Sequence, residues 1–433
     1  MTGSRTYVGF GFGAIQVGLF LHEAQRTGRF GRLAVAEVLA ARVAAVRRAG
    51  GCVGLNIAHA DYVERTRVGP VEILDTACVG DVERLEALVA EATDIATAVP
   101  GVMCYGQGGE ASLAALLARG LARKAACDGP GAVVYAAENH NRAAEILREA
   151  VLAAVEPDRR DAVRRRVRFV NTVIGKMSGI VTDAAHIREQ GLVTMTGEAD
   201  EALLVEAFNR ILISRPDGDD AAASPACVFP SFETKADLLP FEEAKLYGHN
   251  AAHALAAYVG ALLGVERIGE LPDVPGAMAF VRDAFCAESG AALLRKHRGI
   301  DPLFTARGYR RYADDLLARM VNPLLGDTVA RVGRAPDRKL GWDDRLIGTI
   351  RLAAAHRVRP RRFAFAAAAA LTQLDPSLLA DGATAAPVLA RLWTGAEAAT
   401  AEQAAVIAHV DRGLARLRAW LRDGRPPLDV SFR

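Results

Sequence analysis

The chain has almost no excess charge of either sign: 53 basic and 51 acidic residues leave a formal net charge of +2 over 433 residues. That balance gives no electrostatic footprint for nucleic acid, and the Arg-rich stretch Arg159 to Arg168 reads as a solvated helix face. Paired cysteines are missing as well. The six, at 52, 78, 104, 127, 227 and 286, form no C-x-x-C pair and no metal spacing. Neither a metal site nor a disulfide framework is expected, and reduced thiols point to a cytoplasmic protein. No uncharged apolar run reaches the roughly 20 residues of a membrane helix. The longest, Phe363 to Leu371 and Ala251 to Val265, suit buried helices, so no membrane contact is expected. The first strand is expected by residue 7, leaving no room for a signal peptide. No internal repeat is evident.

What is present suits a two-domain enzyme, because 433 residues exceed one comfortable core. The first 200 or so residues alternate short β-like runs with helical ones. Val71 to Leu74, the run from Asp94, Ala132 to Ala137 and Arg168 to Val173 are candidate strands. That alternation predicts a doubly wound, Rossmann-like α/β domain with ligand at the carboxyl ends of its strands. The remainder reads as helix. Residues 1–235 and 236–433 are the expected domains, with the active site between them. A polar loop is expected over Arg215 to Pro225.

The start of the chain carries Tyr7-Val-Gly-Phe-Gly11-Phe-Gly13-Ala-Ile-Gln16-Val-Gly18. A strand, a glycine turn and a helix N-terminus suit a pyrophosphate, since unpaired N–H groups and the helix dipole face the anion. Gly11, Gly13, Ala14, Ile15 and Gln16 are the candidate contacts, although Gln16 stands where a strict G-x-G-x-x-G needs its third glycine. The second apolar run, Leu33 to Glu37, ends in an acid. A carboxylate there bonds ribose hydroxyls and repels a 2′-phosphate, so NAD is expected rather than NADP.

Further on, Lys245-Leu-Tyr-Gly-His-Asn250-Ala-Ala-His253 sets an amine, an amide and an imidazole within one arc of an α-helix, at about 0°, 140° and 80°. A desolvated lysine there can act as general base toward an alcohol, while the amide donates to the developing alkoxide. That is polyol oxidation without a metal.

These motifs resemble, nearly end to end, the polyol-specific long-chain dehydrogenases, the mannitol dehydrogenase family. Its K-x-x-x-x-N-x-x-H signature is matched by Lys245, Asn250 and His253. Glu138-Asn139 is similar to the family's E-N and is carried over as cofactor-binding, and Asn171 to its N-S-x-V-D-R-I asparagine. The resemblance implies Lys245 as base, Asn171 and Asn250 as an alkoxide-stabilising pair, and His253 as orienter of the substrate oxygen. Arg331-Val-Gly-Arg334-Ala-Pro-Asp-Arg338-Lys339-Leu is similar to the R-x-x-R-x-P-x-R-K-L of the phosphate-using branch, the mannitol-1-phosphate 5-dehydrogenases. Asn322 and Pro323 match that family's N-P. Arg grips a phosphate monoester bidentately and Lys meets it as a point charge, so Arg334, Arg338 and Lys339 are the candidate substrate contacts. One departure stands out: Gly175-Lys176 replaces the family's Asp-Arg.

The expected partner is a small polyol or keto-sugar phosphate, and no feature demands more than a monomer or weak oligomer. A free-polyol, sugar-acid or cyclitol-phosphate dehydrogenase would use the same lysine. A noncatalytic NAD-binding protein would leave Lys245, Asn250 and His253 unmotivated.

Overall fold

The computed structural model describes residues 5–197, 199–215, 227–395, 400–428 and 432. Residues 216–226, most of the expected polar loop, lie outside the described residues. The chain divides into two compact units at Leu239 and Pro240.

The first unit holds β1 (Arg5–Phe10), β2 (Phe30–Glu37), β3 (Val53–Ala58), β4 (Val63–Val68), β5 (Glu72–Asp75), β6 (Asp94–Thr97), β7 (Ala132–Ala136), β8 (Val167–Ile174), β9 (Ser178–Val181), β10 (Ala202–Glu206), β11 (Ile211–Ser214) and β12 (Phe232–Lys235). Eight form one sheet in the order β12-β11-β8-β7-β6-β1-β2-β5. From β5 to β8 every pairing is parallel. With the β3–β4 hairpin set aside, this is the 3-2-1-4-5-6 order of a dinucleotide fold. Strands covered on both faces need continuous apolar runs, and β6 and β7 are buried along their whole length. On one face Leu85, Leu88, Leu117, Leu121, Leu147 and Val151, from the helices Val79–Glu91, Leu113–Ala126 and Ala143–Ala154, pack on Val8, Ile95 and Val134. On the other, Tyr7, Phe20, Tyr135, Phe229 and Phe232 form an aromatic cluster.

A second sheet, β4-β3-β10-β9, has no counterpart in the sequence-based expectations. Its buried residues Leu55, Ile57, Leu203 and Val205 share a core with Val17 and Phe20, so it covers the helix that follows the glycine turn.

Among its described residues the second unit is helical. Phe363 to Leu371, within the helix Arg361–Leu374, is wholly buried, as is most of Ala251–Leu263. Both apolar runs are thus core helices. Two stretches, Ala244–Asn250 and Ala284–Gly290, are wound as π-helix, as is Gln16–Leu21 in the first unit.

Candidate active site

In the first unit β1 delivers the chain to Gly11, whose φ of 84° lies in the left-handed region. The helix opens immediately beyond, with Val17 N donating to Gly13 O at 3.0 Å. The N–H groups of Gly13, Ala14 and Ile15 therefore precede the first full helical turn. Apart from its own chain neighbours, no atom of the described residues stands within 4 Å of where a Cβ on Gly13 would lie. This open turn with its N–H groups and dipole fits a dinucleotide pyrophosphate.

Gln16 departs from expectation. It is fully buried, and its Nε2 donates to Tyr7 OH at 2.6 Å. A Cβ on Gly9 would fall 1.9 Å from that nitrogen. The close helix-to-strand approach that a third glycine normally permits is obtained by leaving the strand residue bare instead. The Gln16 side chain thus faces the sheet rather than the open side of the turn.

Glu37 lies at the end of β2, beside the turn, but its carboxylate is already engaged. Oε1 accepts from Val38 N (2.7 Å) and Leu39 N (3.0 Å), and Oε2 from Phe12 N (3.1 Å) and Arg42 (3.4 Å). It braces the turn rather than standing open as a ribose acceptor. Glu138 behaves alike: it is buried and accepts from Thr97 Oγ1 (2.8 Å), Val99 N (2.9 Å) and Tyr105 OH, joining the segments after β6 and β7. Burial raises its pKa against the pull of those donors. Asn139 is exposed beside it.

Asn171 is also committed to the protein. Its Oδ1 accepts from Ala144 N at 2.8 Å, and its Nδ2 donates to both oxygens of Glu145 (3.1 and 2.9 Å). It caps the helix Ala143–Ala154, whose first N–H groups need an acceptor. The expected alkoxide-binding amide is thus spent on a cap. Lys176, the departure noted in the sequence, is buried and donates to Phe208 O at 2.9 Å and to Glu206 O. It anchors the chain after β8 to the end of β10.

In the second unit Lys245 sits in the π-helical turn Ala244–Asn250, so the 100° spacing assumed for an α-helix does not hold there. Such turns commonly mark functional sites. The turn is pinned by its neighbours: Tyr247 O accepts from Ser289 Oγ (2.6 Å) and Thr349 Oγ1 (3.2 Å), and Ala244 O from Tyr312 OH (3.3 Å). A Cβ on Gly248 would meet Tyr309 OH at 2.7 Å, so glycine is needed for that packing.

Burial pushes the Lys245 ammonium down to about 8, aided by the Arg345 guanidinium and opposed by Glu242. Arg345 acts in the same way on Lys339, also held at about 8, chiefly by burial. It links the turn to the basic segment. Arg334 and Arg338 are exposed, and among the described residues their guanidinium groups make no hydrogen bond or ion pair. Lys339 is buried and donates to Arg334 O, which makes it a brace rather than the open contact expected. The amide of Asn250 likewise makes no hydrogen bond among the described residues.

His253 Nε2 lies 3.3 Å from Asp327 Oδ2. Burial raises the Asp327 carboxyl, but His253 and Arg331 outweigh it and hold the group below the usual range. His249 is buried and its pKa is well below the ordinary value, from burial and then from His253, Arg319 and Lys245. Asp327 and Arg345 carried no assignment in the sequence reading. Arg345 lies five residues past the quoted basic stretch, where charge alone would have flagged it; Asp327 meets His253 across a tertiary contact that no local spacing announces.

The chain is similar to several known proteins. Residues 237–411 match the mannitol dehydrogenase C-terminal domain. Mannitol-1-phosphate 5-dehydrogenase of Arthrobacter sp. (strain FB24) is 32% identical over 295 residues, 67% of each chain. The protein of that name from Paenarthrobacter aurescens (strain TC1) is 35% identical over 260 residues, 60% of this chain and 61% of its own, so that match spans less than two thirds of the relative. Among solved structures, D-sorbitol dehydrogenase in substrate-free form is similar with TM-score 0.75 at 14% identity, covering 100% of this chain and 96% of its own. Pseudomonas fluorescens mannitol 2-dehydrogenase, in ternary complex with NAD and D-mannitol, follows with TM-score 0.69 at 16% identity, covering 97% and 92%. At those identities the two share the fold. The sequence matches go further: the chain belongs to the mannitol dehydrogenase family.

Proposed function

We propose that the chain is an NAD-dependent oxidoreductase interconverting a sugar-alcohol phosphate and its keto-sugar phosphate, with Lys245 as general acid and base. The observation that carries this reading is Lys245 itself, held in a π turn with its ammonium pushed down to about 8 by burial and Arg345. At pH 7 roughly a tenth of such a lysine is neutral. The neutral amine takes the hydroxyl proton during oxidation, and the ammonium returns it to the ketone oxygen during reduction. The amide N–H of Asn250 stabilises the oxygen as charge develops. His253, set against Asp327, orients that oxygen.

Arg334 and Arg338 grip the phosphate, with Lys339 fixing the chain between them. Asn171 enters as the cap that ties β8 to the helix Ala143–Ala154. The nicotinamide, when bound, supplies the hydride acceptor and donor. NAD, rather than its 2′-phosphate, is favoured by Glu37 at the β2 end, where Arg42 is already paired with Glu201 at 3.0 Å. The names of the relatives favour mannitol 1-phosphate and fructose 6-phosphate as the pair, and the lysine makes a metal unnecessary.

The test is NADH oxidation with fructose 6-phosphate beside fructose, with and without EDTA. Rapid turnover of the phosphate alone, unaffected by chelator, is expected. Equal turnover of fructose would remove the phosphate clamp, and turnover of neither would remove this substrate pair.

A further inference from the structure

The second unit has a basic cavity that this reaction does not use. The helix Thr400–Arg422 crosses Arg361–Leu374 where Gly413 faces Ala364; a Cβ on Gly413 would stand 2.2 Å from Ala364 O. Beside this crossing lies a cavity of about 510 Å³ whose basic lining is Arg359, Arg361, His409, Arg412 and Arg416. No acid lines it. Elsewhere in the unit Arg282, Arg319, Arg351 and Arg422 each meet an aspartate. Here none of the four guanidinium groups has an ion pair among the described residues.

Two of them have neutral neighbours. Arg412 Nη2 donates to His409 Nδ1 at 2.9 Å, which requires that ring nitrogen unprotonated, and Arg416 lies 5.0 Å from the Phe432 ring centre. Burial and then Arg361 depress the Arg416 pKa, against Glu288. Glu288, however, is turned to the helix start, where it accepts from Arg362 N (2.8 Å) and Phe363 N (3.2 Å). Arg359, Arg361 and Arg412 are exposed and Arg416 half-buried, and cations gathered at one place without a counter-ion among the described residues repel one another. An anion would relieve that repulsion, and guanidinium forks match phosphate oxygens bidentately. The volume falls within the range of small-molecule sites.

We propose that this cavity binds a small molecule carrying a dianionic phosphate group, as a ligand separate from the substrate. The site does not depend on the reaction assigned to Lys245. It is tested by hydrogen exchange of the full chain with inorganic pyrophosphate as probe, read at residues 359–366 and 409–416. Slowed exchange in both segments is expected. It should persist in Arg334→Gln/Arg338→Gln, and need at least about tenfold more pyrophosphate in Arg361→Gln/Arg412→Gln, since a charged hydrogen bond carries about that much affinity. Protection unchanged in the Arg361/Arg412 variant would overturn the assignment. So would its absence from both segments of the unmodified chain at millimolar pyrophosphate, a result that needs no variant to fold.

Discussion

The candidate polar residues of the first unit and most of those of the second are held in opposite ways. In the first, Gln16, Glu37, Glu138 and Asn171 are buried and engaged by protein donors or acceptors, and what stays open is backbone at Gly13. In the second, Asn250, Arg334 and Arg338 make no side-chain hydrogen bond among the described residues, and Lys245 is held where its charge is disfavoured. Binding a dinucleotide needs fixed N–H groups, so side chains there serve as braces. Moving a proton needs a side chain whose two protonation states are close in free energy.

The largest expected effect breaks the second half of this contrast. Lys245→Ala should lower kcat by about a thousandfold, within the range of general acid–base catalysis, while NADH affinity, measured by fluorescence titration, stays near that of the unmodified chain. An equal loss of NADH binding would mean that the residue serves structure. Next comes the packing of the first unit. Gly9→Ala should destabilise by roughly 1–3 kcal/mol through overpacking, and by clearly less in a Gln16→Ala background, because the shortened side chain leaves the space the new Cβ needs. Additive effects in denaturant titrations would contradict the Gly9–Gln16 approach. Arg338→Ala should raise KM for the sugar phosphate about tenfold and leave KM for NADH unchanged. The smallest effect concerns Arg345→Gln. Removing a neighbouring cation favours the protonated lysine, so the Lys245 pKa rises and the oxidative pH–rate profile moves to higher pH. A downward shift would reverse the electrostatic assignment.

Much of the first sheet was legible in the sequence, because buried parallel strands such as Ala132–Ala136 are short apolar runs between helical ones. The second sheet was not. β4, Val63-Glu-Arg-Thr-Arg-Val, is largely exposed and charged, and its partners are settled by tertiary pairing with β3. At the candidate site Lys245, Asn250 and His253 were singled out by spacing, but the π turn that carries Lys245 and Asn250 depends on hydroxyls from Ser289 and Thr349, far along the chain. Likewise Glu37 ends β2 as expected and Asn171 falls inside β8 rather than at its end, while their bonds to Phe12 and Ala144 arise only when the strands are side by side. Periodicity reports which face a residue occupies; it does not report which lone pairs are already taken.

The most direct test of Lys245 as the base is the pH dependence of kcat for polyol phosphate oxidation. The rate should climb with pH through a single ionisation near 8, as the ammonium loses its proton, and the residual rate of Lys245→Ala should lack that step. A flat profile, or the same step retained in Lys245→Ala, would assign the proton to another group.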